Sequence, residues 1–293
     1  MKRQYDVELV HRADNLVGEC PLWHPGERAL YWVDTRRPAI QRLNADGSVD
    51  AWNLPHKIGS FVFRKKGGLI AAMQIGFVEL DLDPLAIRPI VDPEPSKPDN
   101  RMNDGKCDRA GRFWCGSRDP SDDHPGGALY RLDPDFSCTK MDEGFIISNG
   151  MAFSPDDKTL IFADSTGEVA YRYDFDVVAG TIGNRQTFIR TEWAPWIVDG
   201  ATFDEEGYYW CALIRDGAIG RFDPDGRLDR LIRMPVQHPT MCNFGGDNLD
   251  TLYVTSGHIF LNEEQRRAQP DAGSLFAVHG LGVRGVPEPF FAG

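Results

Sequence analysis

The sequence predicts an all-β fold, a six-bladed β-propeller, on three observations. Short apolar runs alternate with turns rich in Gly, Pro and Asp, and no long stretch has the period of an amphipathic helix. One strand–turn–strand plan recurs six times at the spacing of propeller blades. The chain is also large enough to close such a ring, with 293 residues, 41% hydrophobic and 11% aromatic.

The six units follow in order. PLWHPGERALYWVD (21–34) gives two strands around a polar turn, and IQRLNADG (40–47) a third. FVFRKKGGLIAAM (61–73) is followed by FVELDLDP (77–84), and KCDRAGRFWCGS (106–117) by LYRLDPDF (129–136). MAFSPDDKTLIFADS (151–165) leads to YRYDFD (171–176), and ATFDEEGYYWCAL (201–213) to IGRFDPDG (219–226). CNFGGDNLDTLYVTSG (242–257) leads to LFAVHG (275–280). The second strands centre near 32, 71, 114, 162, 210 and 253, so successive units lie 39, 43, 48, 48 and 43 residues apart. A blade cannot bury both of its faces alone, so blades stack radially and close. The run YDVELVHRA (5–13) has strand character and is expected to form the outer strand of the last blade, making residues 1–293 one closed domain.

Equivalent positions of the first strands face one axis. Aligned on Trp23, Phe63, Cys107, Phe153, Phe203 and Phe244, the residues four positions earlier are Glu19, Gly59, Asn103, Asn149, Asp199 and Thr240. Taken singly, Asn149-Gly150, Asn103-Asp104-Gly105 and Asp199-Gly200 read as turns, and Glu19 as a surface acid. Turn residues have no reason to recur at one axial position with oxygen-bearing side chains, which favours a site. The carboxylates of Glu19 and Asp199 and the amide of Asn149 are hard oxygen donors, suited to Ca²⁺, Mg²⁺ or Mn²⁺. Three protein ligands leave coordination positions for water and substrate.

Other chemistries find no support. Asp223-Pro224-Asp225-Gly226 resembles a Ca²⁺ loop, but its Gly comes early and position twelve is Met234. There is no G-x-S-x-G elbow or phosphate loop. The seven His show no paired ligand spacing; His124, His238 and His258 read as surface or loop positions, with a place near a channel mouth as the alternative. Six cysteines without a C-x-x-C pair read as small buried hydrophobes. A net charge of −12 argues against nucleic acid as a partner. The N-terminus lacks the apolar core of a signal peptide and no window reaches a membrane span, so a cytoplasmic protein is expected. Oligomeric state is not legible.

Several of these stretches together resemble the SMP-30/gluconolactonase family of regucalcin-like proteins. They are Gly18-Glu19-Cys20-Pro21-Leu22-Trp23 with Leu30-Tyr31-Trp32-Val33-Asp34, and Arg101-Met102-Asn103-Asp104-Gly105 with Gly111-Arg112-Phe113-Trp114. Ile147-Ser148-Asn149-Gly150 through Ser154-Pro155-Asp156, Val198-Asp199-Gly200 with Gly207-Tyr208-Tyr209-Trp210, and Phe244-Gly245-Gly246 with Leu252-Tyr253-Val254-Thr255-Ser256 complete the set. The resemblance implies one divalent cation held by Glu19, Asn149 and Asp199, with Ca, Zn, Mn or Fe as metals used across the family. It implies substrate contacts from Arg101 and Asn103, proton transfer by Asp199, and hydrolysis of a sugar-acid lactone such as a glucono-, xylono- or arabinonolactone. Two departures stand out. Ser121 falls where the family carries an acidic substrate contact, leaving Arg118, Asp119 and His124 as candidates for its role; and the family's Pro-Asp-Gly is Val198-Asp199-Gly200 here. The competing expectations are a hydrolase of other esters, such as organophosphates, on the same site, and a non-catalytic propeller scaffold.

Overall fold

The computed structural model describes residues 5–191, 194 and 197–293. Its strands form six four-stranded antiparallel sheets, the blades of a β-propeller. β1 (Asp6–His11) comes first. Blade 1 is β2 (Gly18–His24), β3 (Ala29–Asp34), β4 (Ala39–Leu43) and β5 (Val49–Asn53). Blade 2 is β6 (Ile58–Phe63), β7 (Leu69–Met73), β8 (Gly76–Leu82) and β9 (Leu85–Val91). Blade 3 is β10 (Arg101–Cys107), β11 (Phe113–Arg118), β12 (Gly127–Leu132) and β13 (Cys138–Phe145). Blade 4 is β14 (Ser148–Phe153), β15 (Thr159–Asp164), β16 (Val169–Asp176) and β17 (Thr181–Arg190). Blade 5 is β18 (Ile197–Phe203), β19 (Tyr209–Ile214), β20 (Ala218–Phe222) and β21 (Leu228–Arg233). Blade 6 is β22 (Pro239–Gly245), β23 (Thr251–Ser256) and β24 (Leu275–His279), with β1 as its outer strand; the short helix α1 (Glu263–Ala268) lies between β23 and β24.

By internal contacts the chain divides into two units: blades 5, 6 and 1 in the first, and blades 2, 3 and 4 with Glu288–Gly293 in the second. Within each unit the blades pack through matching aromatics. In the second, Trp114 of β11 meets Phe153 of β14 edge-on at 5.7 Å, in a cluster with Phe145, Phe162 and Phe175. In the first, Trp210 of β19 meets Phe244 of β22 at 5.8 Å and 88°. Edge-to-face pairs add about 0.5–1.5 kcal/mol beyond the area they bury.

The two tryptophans are fixed by aspartates from the first strand's turn. Asp108 and Asp204 are fully buried, and each accepts a 2.8 Å bond from the indole Nε1 of Trp114 or Trp210. Arg112 and Arg221 close these two clusters through Nε bonds of 2.6 and 2.8 Å to the same carboxylates. Five of the cysteines are buried and Cys138 is half-buried; all six are free thiols.

Candidate active site

The axial positions inferred from the repeat carry a feature invisible in the sequence. All six first strands break register there: between Glu19 and Leu22, Ile58 and Ser60, Met102 and Gly105, Asn149 and Ala152, Val198 and Ala201, and Pro239 and Met241. A bulge turns its strand and re-aims the side chain it carries. Asn103-Asp104-Gly105, Asn149-Gly150 and Asp199-Gly200 are therefore bulges within β10, β14 and β18, not turns. Ser154-Pro155-Asp156 is a true turn, with Asp157 N donating to Ser154 O. Gly150 (φ 60°) and Cys20 (φ 54°), each following a predicted ligand, are both left-handed. At Cys20 that conformation costs about 1–2 kcal/mol, since a side chain crowds it.

In the second unit the bulges touch in order. A Cβ at Gly59 would overlap the backbone of Met102 and Asn103, 2.7 Å from Asn103 Cα, so only glycine fits there. Arg101 donates to Asn103 Oδ1 at 3.0 Å, and Asn103 Nδ2 donates to Asn149 Oδ1 at 2.9 Å and to Ser148 O at 2.8 Å. Asn149 Nδ2 in turn donates to Ser165 Oγ at 2.8 Å. Arg101, Asn103 and Asn149 thus form one hydrogen-bonded chain, and Arg101 and Asn149 are buried.

Asp104 belongs to the same bulge. Its Oδ2 accepts from Met151 N at 2.9 Å, tying blade 3 to blade 4, while its Oδ1 is buried without a partner. Burial pushes the Asp104 carboxyl up from the usual range.

In the first unit the order is Asp199, Thr240, Glu19. A Cβ on Gly200 would lie 2.8 Å from Met241 Sδ, and the Thr240 hydroxyl donates to Gly18 O and is hydrogen-bonded to the Thr255 hydroxyl. Asp199 is 6% exposed and Thr240 fully buried, while Glu19 is half-buried. Cys211, opposite Ala201, has its thiol pushed well above the ordinary range by burial first, then by Cys242 and Asp199.

Two further aspartates position the predicted ligands. Asp34 ends β3 and accepts from Leu16 N at 2.9 Å and Val17 N at 3.3 Å, fixing the chain just before Glu19. Asp164 ends β15 and accepts from Ile146 N at 2.9 Å and Ile147 N at 3.0 Å, just before Asn149. Each lies fifteen residues after its ligand. Their signal was the shared ending of ALYWVD and TLIFAD, which reads as ordinary strand until the bonds are seen.

The loop after β11 is largely self-paired. Arg118 pairs with Asp122, and the hydroxyl and N–H of Ser121 both go to Asp119 Oδ1, at 2.6 and 2.9 Å. Those bonds hold Asp119 below the usual carboxylate range. Ser121 and His124 are exposed. His238 and His258 lie in loops, as one of the sequence readings has it, but are buried rather than on the surface, at 7% and 3% exposure.

The donor set suits a hard divalent cation. The Asn149 amide is oriented by Ser165, and its oxygen spends one lone pair on Asn103, leaving the other for a metal. Among the described residues no three His, Cys, Asp or Glu side chains converge.

The family model of the SMP-30/gluconolactonase/LRE-like region matches residues 17–258. The chain belongs to this family. It is 37% identical to a 6-deoxy-6-sulfogluconolactonase of Pseudomonas putida, covering 98% of this chain and 99% of the relative. It is 34% identical to regucalcin of Danio rerio, covering 98% of each. Among solved structures, a luciferin-regenerating enzyme superposes with a TM-score of 0.92 at 27% identity, covering 98% of this chain and 99% of that one. A calcium-binding protein, regucalcin, of Agrobacterium tumefaciens superposes at 0.93 and 26%, covering 98% and 97%.

Proposed function

We propose that the protein is a metal-dependent lactonase that opens a sugar-acid lactone to its aldonic acid. The observation that carries this reading is the hydrogen-bonded chain Arg101–Asn103–Asn149 on consecutive bulges, with Glu19 and Asp199 on the equivalent bulges of blades 1 and 5. Kinship with a gluconolactonase supports the reaction class, and kinship with a calcium-binding regucalcin supports a divalent cation.

Glu19, Asn149 and Asp199 would hold the cation, which when bound polarises the carbonyl and acidifies water. The remaining work belongs to the chain. Arg101 and Asn103 grip the lactone's oxygens and fix its orientation, which lowers the entropic part of the barrier. Asp199 accepts a proton on its carboxylate as water adds to the carbonyl carbon. The acyl–oxygen bond then breaks, and Asp199 returns the proton to the ring oxygen, which leaves as a hydroxyl. Water and lactone are consumed, and one hydroxy acid forms.

Asp199→Asn tests the assignment. The amide keeps an oxygen donor but cannot accept the proton, so kcat should fall about a thousandfold while the fold survives. Turnover within about tenfold of wild type would remove Asp199 from proton transfer. Because one relative is a 6-deoxy-6-sulfogluconolactonase, the substrates tried should include a lactone with a sulfonate at C6 beside plain aldonolactones.

A further inference from the structure

The first unit holds a buried imidazole that the mechanism above does not use. His238 directly precedes β22 and lies two residues before Thr240, the blade 6 member of the bulge series. Its carbonyl accepts from Gly257 N at 3.0 Å, and Gly257 forms a bridge with Val17, next to Gly18 and Glu19. His238, Gly257 and Val17 therefore form the layer one step outside Thr240 and Glu19.

His238 is more than nine-tenths buried, and its Nδ1 is sealed without a hydrogen-bond partner. An orphaned acceptor costs less than an orphaned N–H, so the ring carries its proton on Nε2. Phe260, from the loop after β23, packs edge-on against the imidazole at 5.6 Å and is itself 54% exposed. Its neighbour Ile259 is 44% exposed. Two adjacent large apolar side chains are thus left open beside a buried polar ring. Burial, and then the charge of Arg215 from the β19–β20 turn, lower the imidazole's pKa and keep it neutral near pH 7.

A neutral N–H donor beside an exposed aromatic suits a polyhydroxylated ring, which has oxygen atoms at its edge and C–H groups on its face. The geometry points to His238 as a substrate-binding residue that donates Nε2–H to an oxygen of the lactone, with Phe260 as the apolar wall beside it. This rests on the lactonase reading but adds a contact from blade 6 that the family's metal and substrate positions do not include.

The test compares His238→Ala, His238→Gln and His238→Asn on a lactone that the wild type hydrolyses. Glutamine places an N–H where Nε2 stood, whereas asparagine reaches only the Nδ1 position. The expected result is a KM about tenfold higher for alanine and asparagine, with kcat within about twofold and glutamine restored to within about threefold. Unchanged KM in His238→Ala, or equal impairment of His238→Ala and His238→Gln, overturns the assignment. Should His238→Ala fail to fold, the exposed Phe260→Ala decides instead: KM rises several-fold if the wall contacts substrate, and an unchanged KM overturns it. Wild-type turnover reports on the lactonase reading separately, and a wild type inactive on every lactone defeats both.

Discussion

An amide oxygen serves a cation only if its other atom is held elsewhere, and Asn149 meets that condition through Ser165. The backbone beneath it is held as firmly by Asp164, whose carboxylate accepts from Ile146, Ile147 and Gly167. Asp164→Ala would leave these N–H groups without their charged acceptor, costing about 3 kcal/mol and loosening the Asn149 bulge. Metal affinity should fall together with thermal stability, and isothermal titration with Ca²⁺ or Mn²⁺ beside a melting curve reads both. Unchanged affinity would mean that Asp164 has no positioning role.

Histidine burial sets a pH dependence at the same scale. Burial lowers the pKa of His11, and burial with the Arg215 charge lowers that of His238, from the ordinary 6.5. Below that value the unfolded chain takes up protons that the folded chain refuses. This part of the stability is complete above pH 6.5 and is lost as pH falls through the two depressed values. Urea midpoints should decline below pH 6.5, and His238→Asn should flatten part of that decline.

Among elements, each first strand is broken at one register position, and the proposed site is assigned to those breaks. The repeat identified those positions in the sequence, since apolar anchors such as Phe153 and Phe203 fix the count. The bulges themselves were not legible, because Asn149-Gly150 and Asp199-Gly200 also spell turns and only strand pairing separates the two. The buried aspartates escaped for a related reason. Asp108 and Asp204 lie in polar turn sequences, KCDRAGR and ATFDEEG, whose acids look solvated until Trp114 and Trp210 are seen to reach them. His238 and His258 do lie in loops, but their burial was not legible; at His258 it involves distant sequence, with Asp14 and Leu16 as partners.

Two substitutions test this scale. Asp204→Ala removes four hydrogen bonds from a fully buried carboxylate and leaves Arg221, 5% exposed, less compensated. It should cost about 3–5 kcal/mol by urea unfolding. Gly59→Ala forces a methyl into the backbone of Asn103 and should cost about 1–3 kcal/mol. That substitution should also raise KM, because it displaces Asn103.

For the whole molecule, the architecture follows from six sheets whose inner and outer strands repeat one plan. The count of blades was legible because every second strand is a dense apolar run with a period of roughly 45 residues. Blade 6 draws β1 from the other end of the chain, with Asp6, Val7, Glu8 and Leu9 paired to His279, Val278, Ala277 and Phe276. Deleting residues up to His11 would bare the edge of β24, a template for pairing with other chains. The truncated protein should self-associate in sedimentation experiments, and a well-behaved species of unchanged size and stability would contradict this use of β1.

The central claim is that the oxygen donors Glu19, Asn149 and Asp199 make this propeller a metal-dependent lactonase. Acid release from a panel of aldonolactones, measured before chelation, after it, and on return of Ca²⁺, Zn²⁺, Mn²⁺, Mg²⁺ or Fe²⁺, tests it most directly. The account predicts turnover of at least one lactone, its loss on chelation, and its recovery with one of these cations. Release that survives chelation unchanged, or no release from any lactone with any metal, would contradict it.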